Sequence, residues 1–169
     1  MNAADNMAQF AKALRNIERW LDKAAAHAEA KKYDVNNLMM MRLAPDQYPF
    51  VRQVQATCDS AKYAAAYLAG QQAPSHPDTE KTMAELRQRI ATCVGYLEGF
   101  KAEDFAGASE RKVSPAWMAP KWLSGEHYLN QLATPNFYFH MATAYSILRH
   151  AGVDVGKTDF IGNIPVKEG

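Results

Sequence analysis

Cysteine is nearly absent: the chain has two, Cys58 and Cys93, in 169 residues, without CxxC spacing. A disulfide framework or a thiolate zinc site is therefore not expected, and both thiols read as free and buried within helical patterns. Neither sign of charge is in excess. Lys and Arg number 19 against 18 Asp and Glu, a net charge of +1. That balance excludes a nucleic-acid platform, which needs a concentrated basic face to displace counterions. The densest basic runs, "AKKY" and "ERKV", are short solvated surface. Long apolar runs are also missing, and none approaches the roughly 20 residues that span a bilayer. The opening residues "MNAADNMAQFAKALRN" carry no basic region followed by an apolar core, so no secretory signal and a cytoplasmic location are expected.

What is present is helical periodicity. Hydrophobic content of 48% and charged content of 22% fit an ordinary globular protein, and the length suits one domain spanning 1–169. Met7, Phe10, Leu14, Ile17, Leu21, Ala24 and Ala28 step by three and four, which predicts a helix over 4–31. Asp34 can cap a short turn through Met41. Asp46 as N-cap, with Pro49 in the first turn, predicts a second helix over 46–69 that stops at Gly70. Its inner stripe is Val51, Val54, Cys58, Ala61, Ala65 and Leu68.

After "QQAPSHPD", a loop in which His76 reads as exposed, Asp78 or Thr79 starts a third helix over 79–99. Val113 to Leu123 is expected to form a short extended ribbon, and Ser124 to begin a short helix. Thr134 as N-cap, Pro135 at the first helical position and Gly152 as stop predict the last helix over 135–151. The Gly-rich tail is expected to pack across the bundle without a further helix. Four long helices joined by short pieces define an all-α bundle.

His140 lies on the inner face of the last helix, with Ile147, Ala151, Ala144 and Phe137 within about 60° of it on a helical wheel. It is expected to be largely buried, with a hydrogen-bond partner from helix two or from Asn136, because an unsatisfied buried imidazole costs about 1–3 kcal/mol. A satisfied core histidine and a functional one both fit the pattern. Asn136 shares its face. Tyr138 and Tyr145 flank it as boundary residues with their hydroxyls at the rim. On helix two, Gln55, Asp59 and Lys62 or Tyr63 border the apolar stripe. Asp59 fits a surface ion pair with Lys62 or Arg52, and equally a carboxylate on a pocket wall.

"RLAPD", "RQVQ" and "PNFYFH" are the most specific segments of a resemblance that covers roughly residues 5–162. Together with "LDKAAAHAEAKKYDV", "TMAELRQRI" and "AYSILRHAGVDVGKTDF", they resemble a bacterial domain-of-unknown-function family of the DinB-like (YfiT-like) metalloenzyme superfamily. The resemblance implies an up-down-down-up four-helix bundle, often a homodimer. It also implies, in metal-binding members, a divalent ion held on three histidines, one from the second long helix and two from the last.

Only His140 matches one of those positions, counting back from Gly152. Asn136 stands four residues before it, and 46–70 contains no histidine. His27, His76, His127 and His150 fall elsewhere. A three-histidine site is therefore not expected, and no cofactor is assigned.

The residues support a pocket at one end of the bundle for a small polar or aromatic molecule. Its expected lining is His140, Asn136, Gln55, Asp59 and Tyr145, with Phe137 and Trp117 or Trp122 nearby. An enzyme using His140 as acid or base, tuned by Asp59, is the alternative; it would parallel thiol-dependent transferases of the superfamily. A structural homodimer is the third reading. "NLMMMRL" adds to it, since at least one of three consecutive methionines must face outward.

Overall fold

The apolar stripe read from the first thirty residues is buried along its whole length, from Met7 to Ala28. In the computed structural model, which describes residues 2–167, it forms the inner face of α1 (Ala3–Lys31). A 3-10 turn at Val35–Met40 follows, capped by the Asp34 side chain. Then come α2 (Phe50–Ala69), α3 (Met83–Glu98), a second 3-10 turn (Ala102–Phe105), β1 (Lys112–Val113) and β2 (Leu123–Ser124). α4 (Gly125–His127), a π-helical stretch (Tyr128–Ala133), α5 (Thr134–His150) and α6 (Lys157–Ile161) complete a mostly helical chain.

α2 starts at Phe50, later than the expected 46. A proline ring disfavours helical geometry in the residue before it, so Tyr48 stays outside and Pro49 becomes the N-cap. The Phe50 N–H donates instead to Met41 O at 2.8 Å, tying the first connection to the helix start. α3 also starts late, at Met83. Thr82 and Glu85 form a reciprocal capping box, a T-x-x-E signature present in "TMAE" that outranks Asp78 and Thr79. The ribbon forms as expected, with Val113 opposite Leu123 and Lys112 opposite Ser124, antiparallel. Gly125 follows it where no side chain fits: a Cβ there would lie 1.9 Å from Ala108 O.

Thr134 does not cap α5. The π-helical stretch runs straight into it, Ala133 is already right-handed helical, and Thr134 Oγ1 is buried without a partner. A proline ring clashes with the carbonyl four residues back. Here that carbonyl belongs to Gln131, in the wider π turn that takes the ring without a break. Gly152, at φ +89°, ends the helix as expected.

The tail does form a helix, contrary to its glycine content. Asp159 Oδ2 accepts from the Gly156 N–H and from Lys23 Nζ, each at 2.8 Å, which fixes the first turn of α6. Phe160 then stacks on Trp20, whose Nε1 donates to Asp159 O at 3.1 Å. The tail thus packs on α1.

Side-chain pairs report which ends meet. Phe10 stacks on Phe137 and Trp20 meets Tyr145, linking α1 to α5. Cys93 Sγ donates to Cys58 O, linking α3 to α2, and both thiols are free and buried. No helix among the described residues is long and apolar enough to cross a membrane.

Candidate functional site

A cleft of about 620 Å³ opens between α2, α5 and the connection that carries Pro115 to Trp117. One strip of α2 forms its floor. Arg52, Ala56, Asp59, Tyr63 and Tyr67 lie within about 80° on a helical wheel, and all five line the cleft. From α5 and the stretch before it come His140, Asn136, Ala133 and Tyr128. Trp117 overhangs, 72% exposed.

His140 is half-buried, less than expected, because it stands at the rim of this cleft and not within the core. Its partner comes from helix two: Nδ1 lies 2.8 Å from Gln53 Oε1. The Gln53 amide is oriented by its other end, where Nε2 donates to Tyr48 O at 3.1 Å. With Oε1 facing the imidazole, Nδ1 carries the proton and Nε2 is left as an acceptor. Burial, and then the positive charge of Arg52, hold the imidazole pKa below its usual value. Tyr48 stacks over the ring.

Asn136 does not reach His140. Its Nδ2 donates to Ser60 Oγ at 2.7 Å, and Ser60 Oγ donates to Ala56 O at 2.7 Å. Asp59 combines the two roles left open for it, since it lines the cleft and forms an ion pair. That pair is buried, however. Oδ1 accepts from Lys62 Nζ and Arg89 Nη2, both at 2.8 Å, and Lys62 is 1% exposed. Arg89 also reaches Glu80 at 3.1 Å and Asp78 at 3.3 Å. Arg52 pairs with Asp78 and not with Asp59.

Two expected lining residues stand elsewhere. Gln55 is buried beside α3, its Nε2 donating to Glu80 Oε2 at 2.7 Å. Tyr145 faces α1 and the tail, donating to Val155 O. Phe137 likewise turns to Phe10, and Trp122 lies under Lys112 outside the cleft. Tyr48, Tyr67 and Tyr128 line the cleft beyond the expected set, although the strip from Arg52 to Tyr67 is a helical face that spacing alone outlines. Burial raises the phenol pKa values of Tyr67 and Tyr128 above the usual range, so both hydroxyls stay protonated.

The residues present do not fit a histidine triad. Gln53 faces His140 from α2 and Asn136 stands one turn before it, and carboxamides are weak ligands for late transition metals. Among the described residues no group of three or more His, Cys, Asp and Glu is placed to hold a metal ion.

His76 is half-buried rather than exposed, with Nδ1 lacking a partner. Burial, then the charges of Lys62 and Arg89, lower its pKa against the opposing carboxylates of Asp59 and Glu80. Both His76 and His140 thus bind protons less readily folded than unfolded. Stability they contribute is present above the unfolded histidine value of about 6.5 and is lost as pH falls toward their folded values. Thermal melts should show a decline below about pH 6.5 that is shallower in a His76→Gln/His140→Gln variant. Identical profiles would refute the assignment.

The packing of these helices defines a DinB-like protein. A crystal structure at 1.83 Å of a DinB family member protein from Shewanella denitrificans is 49% identical, with a TM-score of 0.93 over 96% of this chain and 93% of that one. Residues 4–161 match the family model described as "Domain of unknown function (DUF1993)", and the chain belongs to that family. Among curated proteins none matches.

Proposed function

We propose that this protein binds a small polar or aromatic molecule in the cleft around His140. The observation that carries the reading is convergence: the same cleft of about 620 Å³ gathers four tyrosines, a tryptophan and the polar atoms of His140, Asp59 and Asn136. Its volume falls in the range of roughly 300–1,000 Å³ typical of small-molecule sites. A thermal-shift screen of thiols and small metabolites tests it. At least one compound should raise the melting temperature of wild type and leave an Asn136→Trp variant, whose cleft is filled, unmoved. Equal shifts in both proteins would contradict the reading.

An enzyme with His140 as general base is the second reading. It is favoured by the neutral imidazole whose Nε2 lone pair is left free by the Gln53 contact.

The side-chain pairings support an up-down-down-up order within one domain. Gln53 and Ser60 of α2 meet His140 and Asn136 of α5 in reverse sequence, as antiparallel helices require. Arg52 and Gln55, early in α2, meet Asp78 and Glu80 just before α3, as parallel ones require. A homodimer is supported by exposed Met40 and Leu43 in the first connection. Light scattering should give twice the chain mass, and Met40→Lys should halve it; a monomer at high micromolar concentration would contradict it.

A further inference from the structure

We infer that the cleft selects a ligand carrying a protonated amine on an apolar or aromatic body. The inference rests on the reading of the cleft as a binding site and adds the class of ligand. Its basis is the donor and acceptor inventory of the cleft wall.

Several donors close to His140 are engaged, and the tyrosine hydroxyls of the wall can accept as well as donate. Asn136 Nδ2 gives one of its two hydrogens to Ser60, and the Ser60 hydroxyl donates to Ala56 O. The His140 Nδ1 proton is spent on Gln53, and the Arg52 charge is met by Asp78.

Three acceptors that cannot donate remain open beside them. His140 Nε2, Asn136 Oδ1 and Asp59 Oδ2 take no hydrogen bond among the described residues, while Asp59 Oδ1 satisfies both Lys62 and Arg89. An ammonium group supplies three donors and no acceptor, which complements such a wall.

The aromatic faces point the same way. Tyr63 stacks on Tyr67 with ring centroids 5.7 Å apart, and Tyr67 meets Tyr128 edge-on at 5.7 Å. Lys62 lies over Tyr63 at 4.6 Å and Arg52 over Tyr48 at 5.5 Å, so two of the rings already attract cations. Tyr67, Tyr128 and Trp117 carry none among the described residues. Aromatic faces beside a carboxylate oxygen recognise organic cations.

Three probes of one shape but different charge test the inference: 2-phenylethylamine, 2-phenylethanol and 3-phenylpropionate, titrated by calorimetry at low salt. The amine should bind about tenfold more tightly than either of the others, the worth of one charge-assisted contact. Asp59→Asn should erase that preference. Because Asp59 also anchors Arg89, the exposed position 136 provides a second variant: Asn136→Asp should tighten the amine and weaken the carboxylate. Tighter binding of the carboxylate or the alcohol by wild type would overturn the amine class and leave the cleft reading standing. No binding of any probe at millimolar concentration would overturn both.

Discussion

Replacing Arg89 by alanine is expected to destabilise the protein by about 3 kcal/mol, the lower end of what breaking a buried ion pair costs. The Arg89 side chain is 3% exposed and serves three carboxylates at once: Asp59, Asp78 and Glu80. The low end applies because each carboxylate keeps another partner. Asp59 retains Lys62, Asp78 retains Arg52, and Glu80 retains the Gln55 amide. Arg87, which pairs with Asp22 at the surface, is the control, and its loss should cost less than about 1 kcal/mol. Urea denaturation of the two variants measures the difference. Equal, small effects would mean that the connection between α2 and α3 is not held by this network.

A comparable loss, about 3–5 kcal/mol, is expected for Trp20→Ala. Trp20 is fully buried, and three elements depend on it. Tyr145 of α5 packs edge-on against its indole, Phe160 of α6 stacks on it, and its Nε1–H binds Asp159 O. The cavity should therefore release the tail as well as weaken the core. Hydrogen exchange should show the amides of α6 losing protection well before those of α2. Uniform protection with an unchanged melting temperature would contradict this.

The parts of the fold legible in the sequence are those governed by local physics. The three- and four-residue steps of α1, the ribbon from Val113 to Leu123 and the stop at Gly152 depend only on nearby residues, and all three appear where expected. Helix starts were harder, because each was decided by competition. Pro49 displaced Asp46 through its effect on Tyr48, the capping box at Thr82 displaced Asp78, and the π turn absorbed Pro135 without needing Thr134 as a cap.

The candidate site was legible in part for the same reason. His140, Asn136 and Asp59 occupy cleft-facing positions that helical spacing allows. Tyr145 stands about 140° round α5 from His140, and Gln55 about 60° round α2 from Arg52, so each leaves the cleft-facing strip and meets Val155 or Glu80 instead. No local rule foretells that Arg89 reaches back to Asp59, or that Tyr128 comes to lie against Tyr67. Those contacts exist only once the bundle is packed.

A crystal structure of the protein soaked with the compound that most raises its melting temperature is the most direct test of the central claim. Density should appear in the cleft between Trp117 and His140, with a polar atom within hydrogen-bond distance of His140 Nε2, Asp59 or Asn136. An empty cleft, with that compound bound at another surface, would contradict it.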